Sequence, residues 1–166
     1  NRIADIFLTA PREAMFTEVL GVILEATGSN HGFLGYLDDD GSLLCPSMVE
    51  SDSRGLRTTH QMVRLPKESW SGTWGRVLAE KKPLYTNEME TVPTGHPPIR
   101  RSLGVPIVEQ GRLIGNIHVA NKESDYNAKD IARVQVIANH LAPILGAMLR
   151  RDEQERERRK ADEKIR

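Results

Sequence analysis

The segment from residue 103 to residue 121 constrains the fold most, because it predicts two neighbouring β-strands that both lack a solvated face. The dipeptide Gln110-Gly111 is a turn signal between the two strands. One face of the pair carries Leu103, Val105, Ile107, Leu113, Gly115, Ile117 and Val119. The other face carries Gly104, Pro106, Val108, Ile114, Asn116, His118 and Ala120, which are small or mildly polar. A sheet built from such strands is covered on both sides. We expect helices on one side, and loops or a ligand on the side with the smaller residues.

The segments before this hairpin predict two helices, a first hairpin and several short elements. Apolar residues from Met15 to Leu24 recur at helical spacing, a shorter helix precedes them at residues 2–8, and Gly28 ends the pattern. The remaining predictions are a strand at 32–37, a turn at 38–41, a returning strand at 42–49 with Pro46 at an edge position or bulge, a polar irregular segment at 50–59, short strands at 61–65 and 83–86, a helix at 73–80 and a long loop at 88–98.

The last helix begins near Asn127, a predicted N-cap, with Asp130 three residues later as a capping-box acid. Apolar residues then recur at helical spacing as far as Leu149. Pro143 removes the amide that would bond the carbonyl of Asn139, so we expect a bend in this helix. The order of elements predicts an α+β fold with an antiparallel sheet and the terminal helices packed together on one face.

The chain ends in a run of charge that continues this helix. From Arg150 to Arg166, 14 of 17 residues are charged. Acid-before-base pairs four residues apart, such as Asp152 with Arg156, favour a helix, and a frayed, solvated end is the alternative. A long solvated helix is typical of a domain that passes a signal to the next one. We therefore predict a globular domain at residues 5–150 and, at 151–166, a charged helical linker to a downstream output domain.

Composition narrows the classes of partner. The 23 basic and 23 acidic residues balance, so no electrostatic field favours nucleic acid. The longest apolar stretch, around Val19 to Leu24, is too short for a membrane segment. The single cysteine, Cys45, permits no internal disulfide and favours a reducing, cytoplasmic location. The chain begins at Asn1 without a methionine, and we expect it to be a piece of a longer protein.

Four segments resemble the GAF domain, a small-molecule sensing module of bacterial multidomain signalling proteins. They are Glu68 to Arg76 (ESWSGTWGR), Gly95 to Arg100 (GHPPIR), Leu103 to Ile107 (LGVPI), and Leu113 to Gly115 (LIG) leading to Ala120 to Lys122 (ANK). The His-Pro-Pro segment is similar to a subgroup found beside PAS domains in sensor histidine kinases and cyclic-di-GMP enzymes. The resemblance implies a central six-stranded antiparallel sheet. It also implies N- and C-terminal helices on one face, often pairing with a second copy, and a pocket on the other face roofed by loops and a short helix.

Five residues are candidates for contacting a ligand in that pocket. Trp70, Trp74 and Tyr85 fall where its roof and rim are expected, and aromatic side chains supply apolar contact with one polar handle each. His96 lies in the long loop and His118 on a strand, and haem needs only one axial ligand. The alternative interpretation is that these residues pack the core beneath the roof, cap the loop or hydrogen-bond within the sheet.

The sequence identifies no cofactor and leaves haem and a cyclic nucleotide open. Part of the family's cyclic-nucleotide motif is matched by Asn121, Lys122, Tyr126 and Asp130. Ile131 replaces the second acid of that motif, and Lys122 with Asp130 could instead fasten the strand end to the helix start. The histidines are not paired at ligand spacing, so we expect no metal site. Cys45 lacks the attachment context of a linear tetrapyrrole, and one cysteine is too few for reduction of methionine sulfoxide.

The sequence therefore predicts a regulatory domain without catalysis, most simply the sensor of a histidine kinase. It would bind an unidentified small molecule, form a homodimer through its terminal helices and pass the ligand state through them to the kinase or another output domain. The alternatives are a ligand-free dimerisation module, a haem or redox sensor, and the sensor of a cyclic-di-GMP enzyme. An apolar void under Trp70 and Trp74 would favour sensing, and a filled space would favour scaffolding.

Overall fold

The structure is a computed structural model that describes residues 2–46, 48–52, 55–59 and 62–165. Its helices are α1 (Arg2–Thr9), α2 (Arg12–Thr27), α3 (Gly72–Glu80) and α4 (Ala128–Ile165), with a 3₁₀ turn at Lys67–Ser69. Its strands are β1 (His31–Leu37), β2 (Leu43–Cys45), β3 (Met48–Asp52), β4 (Gly55–Thr59), β5 (Val63–Leu65), β6 (Leu84–Thr86), β7 (Ser102–Glu109) and β8 (Arg112–Ala120).

Six strands form the body of one antiparallel sheet, in the order β4-β3-β1-β8-β7-β6. At its centre β1 pairs with β8, from His31 opposite Ala120 to Tyr36 opposite Gly115. β2 folds back on the end of β1 and pairs on its other side with β5. The predicted α+β class and the six-stranded antiparallel sheet are confirmed, and β2 with β5 extends one end of the sheet.

The terminal helices α1, α2 and α4 pack together on one face of this sheet. The core between them includes Leu34 and Ile117 from the central strands, Leu20 from α2 and Leu141 from α4, each almost wholly buried. Burial of such a side chain contributes about 1.5–3 kcal/mol to the free energy of unfolding. α2 lies close to the sheet at Gly32, where a Cβ would lie 3.1 Å from a leucine side chain of that helix. The prediction that the first and last helices share a face is confirmed.

A β-bulge in the second hairpin changes which residues share a face. The pairing of β7 with β8 shifts so that Ile107 lies opposite Gly115 and Val108 opposite Leu113. Ile114 is the extra residue, and it packs against the core beneath the terminal helices. Leu113 packs on the opposite side of the sheet. The prediction that Leu113 shares a face with the later residues of its strand is wrong, because alternation of period two breaks at the bulge.

The prediction of an irregular segment at residues 50–59 is wrong over the residues that the structure describes. β3 and β4 pair there as antiparallel strands, with Met48 opposite Thr59 and Asp52 opposite Gly55. Polar composition does not prevent such pairing, because backbone hydrogen bonds hold an end hairpin and an antiparallel sheet tolerates solvent on one side. The predicted strand at 61–65 is present as β5, and Gln61 itself lies outside the described residues.

α4 begins at the predicted capping box. The side chain of Asn127 accepts a hydrogen bond from the backbone N–H of Lys129 at 2.9 Å, and that of Asp130 accepts one from the N–H of Asn127 at 3.0 Å. The helix continues through Pro143 as far as Ile165. The bend at the proline and the domain boundary at residue 150 stay predictions.

In the described part of the chain, α4 is also the one helix long and apolar enough to cross a membrane by length and composition. Its most apolar 18-residue window has a mean hydropathy of 1.2, and 39% of that window is buried inside the domain. The core helix of a globular domain passes the same test, so this is weak evidence of a span. The absence of a membrane segment stays a prediction.

Candidate functional site

The face of the sheet opposite the terminal helices presents three rows of residues across β1, β8 and β7. Directly paired residues of antiparallel strands project to the same side, so the pairing register determines each row. The rows are His31–Ala120–Ser102, Phe33–His118–Gly104 and Gly35–Asn116–Pro106. α3 covers this surface closely: a Cβ on Gly104 would lie 3.0 Å from the side chain of Val77. We name this surface the roof-side face.

Phe33 lies at the centre of an aromatic cluster beneath α3. Its ring stacks on the His118 imidazole, with centroids 5.4 Å apart, and meets Trp74 edge-on at 6.1 Å. Aromatic pairs favour both arrangements. Trp70 is held nearby, where its indole N–H donates to the carbonyl of Leu65 at 3.2 Å. The cluster is completed by the buried side chains of Leu43, Cys45 and Leu78. The space beneath the two tryptophans is therefore occupied by side chains.

Three buried polar side chains on the roof-side face have atoms with no hydrogen-bond partner among the described residues. These atoms are Nδ2 and Oδ1 of Asn116, Nδ1 of His118 and Oγ of Ser102. Asn116 and Ser102 are 0% exposed and His118 is 6% exposed. We name these three residues the unpaired polar set. Folded proteins pair nearly all their buried polar atoms, so such a set points to a role other than packing.

Burial keeps the side chains of His118 and Cys45 uncharged. It lowers the pKa of His118 to about 3, and the nearby His31 acts in the same direction. It also raises the pKa of the Cys45 thiol to about 12. His118 is therefore a neutral imidazole at neutral pH. Cys45 is a small buried residue rather than a nucleophile, since nucleophilic attack needs the thiolate.

The structure brings three of the five predicted ligand residues together. Trp70, Trp74 and His118 all border the aromatic cluster around Phe33. Tyr85 does not join them: it lies on β6 opposite Leu103, so it projects to the side of the terminal helices, and it is 43% exposed. The register of a three-residue edge strand decides this, and the sequence does not reveal it.

His96 lies at the margin of the roof-side face. It is exposed in the long loop, where its Nδ1 lies 2.7 Å from the carbonyl oxygen of Pro97. Its ring meets that of His31 edge-on, with centroids 5.8 Å apart. Ligand binding by His96, and by the other four candidates, stays a prediction.

An open groove of about 550 Å³ lies elsewhere, where α4 leaves the sheet. It is lined by the turns that follow β1 and β7 and by one side of α4, and it includes Asp39, Arg112 and Arg150. This groove is charged and open to solvent, unlike the apolar and filled space beneath the two tryptophans.

The GAF domain family model matches residues 9–145, which is most of the chain. The chain belongs to the GAF domain family. It is similar to the GAF domain of a phosphoenolpyruvate-protein phosphotransferase from Coxiella burnetii, with a TM-score of 0.71 and 21% identity over 91% of this chain and 92% of that one. The phycocyanobilin-bound GAF domain of a cyanobacterial phytochrome gives a TM-score of 0.64 and 18% identity over 87% of this chain and 90% of that one. At these identities the similarity shows a shared GAF fold.

A relative with a sensor role is also detectable. The methyl sulfide methyltransferase-associated sensor of Methanosarcina acetivorans is 25% identical over 119 residues, which cover 67% of this chain. This chain spans only 12% of the length of that relative. A GAF domain is a regulatory sensor domain and is not catalytic by itself. The prediction of a GAF domain of a sensor or signalling protein is confirmed at this level.

In this GAF domain the residues that match the cyclic-nucleotide motif hold the fold together. The ammonium of Lys122 lies 3.1 Å from both carboxylate oxygens of Asp130, which is 1% exposed. The hydroxyl of Tyr126 lies 2.6 Å from that of Ser29, and the side chain of Asn121 accepts a backbone N–H of the preceding loop at 2.8 Å. Together these contacts fasten the segment between β8 and α4 to the loop before β7, to the residues that follow α2 and to the start of α4. Among the described residues, no group of three His, Cys, Asp or Glu side chains is placed to hold a metal ion.

Sequence reasoning did not identify Phe33, Asn116 or Ser102 as site residues of the GAF domain. For Asn116 a signal was available, because alternation already placed it on one face with His118 among smaller neighbours. For Phe33 and Ser102 the pairing of β1 and β7 with β8 was needed. Polar residues inside a strand that has no solvated face are the sequence signal that would have indicated the unpaired polar set.

Proposed function

We propose that this GAF domain is the sensor module of a larger signalling protein and binds a small molecule at its roof-side face, beneath α3. The unpaired polar set is the observation that supports this most strongly, because its donor and acceptor atoms are buried without partners in the described chain. A site of mainly apolar lining with a few convergent polar groups is typical of small-molecule binding. Trp70 and Trp74 supply the apolar part.

β8 links the proposed site to the terminal helices. Asn116 and His118 face the roof, whereas Ile117 between them belongs to the same buried core as Leu141 and Leu145 of α4. A ligand that prefers one position of β8 would shift the population of α4 arrangements. We propose that α4 carries this change to a histidine kinase, in a cytoplasmic protein that dimerises through its terminal helices. A cyclic-di-GMP enzyme is the alternative output.

A dimerisation module without a ligand is the second candidate function. The packing beneath the tryptophans favours it, because Phe33, Leu43 and Leu78 belong to one buried apolar cluster there. Packing alone does not explain why Asn116 is buried with both of its polar side-chain atoms unpaired. We therefore prefer the sensor proposal.

A haem sensor is the third candidate, and a visible absorption band of the purified domain would support it.

Native mass spectrometry of the purified domain separates these candidates, because it reports oligomeric state and any bound molecule together. We expect a dimer that carries a small molecule. Removing that molecule should change the distance between spin labels at Arg112→Cys and Gln154→Cys, one on the hairpin and one on α4. Buried Cys45, with its pKa raised to about 12, should not compete for the label. A dimer that carries nothing favours the dimerisation module, and an unchanged distance would defeat the proposed route of signalling.

A further inference from the structure

The unpaired polar set includes a donor and an acceptor side by side. Asn116 offers Nδ2 as donor and Oδ1 as acceptor, and His118 offers Nδ1 on the next row of the roof-side face. Glycines leave room beside both residues. A Cβ on Gly35 would lie 3.0 Å from Oδ1 of Asn116, and one on Gly104 would lie 2.6 Å from Nδ1 of His118. The backbone of the face is therefore adapted to these polar side chains.

Burying the carboxamide of Asn116 without partners destabilises the empty domain. A leucine at this position would have nearly the same size and no polar atoms to satisfy. A molecule that enters from outside the chain removes the penalty if it brings an acceptor next to a donor. Lactams and aminopurines carry such an edge, and a carboxamide can form two parallel hydrogen bonds with it.

The surroundings of Asn116 disfavour a charged ligand. The neighbouring cluster consists of apolar side chains, among them Phe33, Leu43 and Trp74, and His118 is neutral. An ion placed there would lose its hydration and find no opposite charge among these buried side chains. The rings of Phe33 and Trp74 favour a flat molecule, which can stack or meet them edge-on.

We infer that the roof-side face binds an uncharged planar heterocycle whose adjacent donor and acceptor pair with the carboxamide of Asn116. The inference rests on the proposed sensor function and narrows its ligand class. His118 supplies a further hydrogen bond through Nδ1, and the aromatic cluster packs against the ring. Anions such as cyclic nucleotides are poor ligands for this surface.

Entry of the ligand requires the side chain of Leu43, which packs against Gly35 beside Asn116, and α3 to move. Val77 of α3 packs directly above Gly104. Trp70 and Trp74, which flank the start of α3, are the two tryptophans of the chain. Their fluorescence therefore reports movement of α3 without any added label.

Titration with adenine and with 2-pyridone, followed by tryptophan fluorescence and calorimetry, tests the ligand class. Indole is a flat comparison molecule with a donor but no adjacent acceptor, and cyclic AMP adds an anion. We expect saturable binding of adenine or 2-pyridone, and binding of indole and cyclic AMP weaker by about tenfold or more. Asn116→Leu should lose about tenfold in affinity for the heterocycle. Asn139→Leu, the same change at an exposed position of α4, should bind as the parent does.

The stability of the ligand-free domain supplies an independent measurement. We expect Asn116→Leu to raise Tm by about 2–4 °C, because it removes two unpaired buried atoms while keeping the volume filled. Asn139→Leu should leave Tm nearly unchanged. A fall in Tm for Asn116→Leu would overturn the inference, because the carboxamide would then be satisfied within the empty domain.

The outcomes separate this inference from the function on which it rests. Binding of cyclic AMP without adenine or 2-pyridone, or a charged molecule carried over in native mass spectrometry, overturns the uncharged ligand and leaves the sensor proposal standing. Heterocycle binding that Asn116→Leu does not weaken overturns the role of Asn116. If no probe binds and no molecule is carried over, both proposals fail. A carried-over uncharged heterocycle supports both.

Discussion

Arg150 of α4 forms a bidentate ion pair with Glu109 at the end of β7, with Nη1 2.5 Å from Oε1 and Nη2 3.4 Å from Oε2. A second pair follows two residues later, where both Nη atoms of Arg12 meet the carboxylate of Asp152 at 2.5 and 3.2 Å. The hydrogen bond with Asp152 raises the pKa of Arg12. Two separate elements, the start of α2 and the end of β7, thus hold α4 where it leaves the domain.

Replacing Arg150 by methionine should loosen the exit of α4 without unfolding the domain. The side chain of Arg150 is 55% exposed, but that of Glu109 is only 12% exposed, so the variant leaves a largely buried carboxylate without its counter-charge. We expect faster amide hydrogen exchange at residues 146–152, measured by mass spectrometry, and a Tm lowered by about 2–6 °C. Arg158→Met is the matched control, because Arg158 contacts only Glu155 of its own helix among the ion pairs described, at 3.9 Å. Unchanged exchange in Arg150→Met would contradict a tethering role.

Two helical glycines should respond differently to alanine. A Cβ on Gly21 of α2 would meet nothing within 4 Å, so Gly21→Ala should raise the free energy of unfolding by about 0.5–1 kcal/mol. A Cβ on Gly146 of α4 would overlap the carboxylate of Glu109. Gly146→Ala should therefore give no gain, because Glu109 must leave Arg150.

A double-mutant cycle in denaturant checks the cause of this difference. In a Glu109→Ala background the obstacle at Gly146 is gone, and Gly146→Ala should stabilise the domain as Gly21→Ala does. Equal gains for both alanine variants in the parent chain would show that Glu109 does not restrict Gly146.

Asp130→Asn should be strongly destabilising. Asp130 is 1% exposed and pairs with Lys122, so the neutral amide would leave a partly buried ammonium without its counter-charge. We expect the free energy of unfolding to fall by about 2–4 kcal/mol in a urea titration. Adding Lys122→Met should recover part of that loss. A loss below the error of the titration would show that the pair does not hold β8 to α4.

Acid should destabilise the domain through His118. Its pKa is about 3 when folded, against 6.5 as the ordinary value, because burial and the nearby His31 disfavour the charged ring. Between these values the unfolded chain binds a proton that the folded chain does not, so the free energy of unfolding falls as pH falls below 6.5. Between pH 6.5 and about pH 5 the free energy of unfolding should fall by about 1.6 kcal/mol.

Denaturant titrations at both ends of that pH range test this prediction. His118→Gln should flatten the pH dependence, because an uncharged amide does not titrate. His140→Gln, on the exposed side of α4, is the control and should keep the slope of the parent. Identical slopes for the parent and His118→Gln would show that His118 is not the group responsible.

Much of the fold could be predicted because the patterns that specify its helices and turns lie within a few neighbouring residues of the sequence. Gly28 ends α2 in the left-handed conformation, with φ of 68°, and the Asn127–Asp130 box begins α4. The β3–β4 hairpin and the bulge opposite Ile107 could not be predicted in this way. Both depend on which strands pair and in what register, and the sequence of one strand does not specify its partner.

The candidate site was predicted only in part, because strand pairing also decides which side chains face it. Trp70 and Trp74 follow from the family resemblance, and the structure places both beside Phe33. Tyr85 projects to the other side, because the register of β6 against β7 sets its direction.

The order of residues alone was enough to derive an α+β domain with its terminal helices on one face, since apolar periodicity and turn residues are properties of neighbours in the chain. Tertiary packing determined the features of the site and of the α4 exit. Asn116 and His118 are buried with atoms unpaired because β1 and β7 flank them in the sheet and Leu43 and Val77 pack against their rows. Arg150 meets Glu109 because α4 passes the end of β7. Both outcomes depend on which distant segments come into contact, which one-dimensional periodicity does not encode.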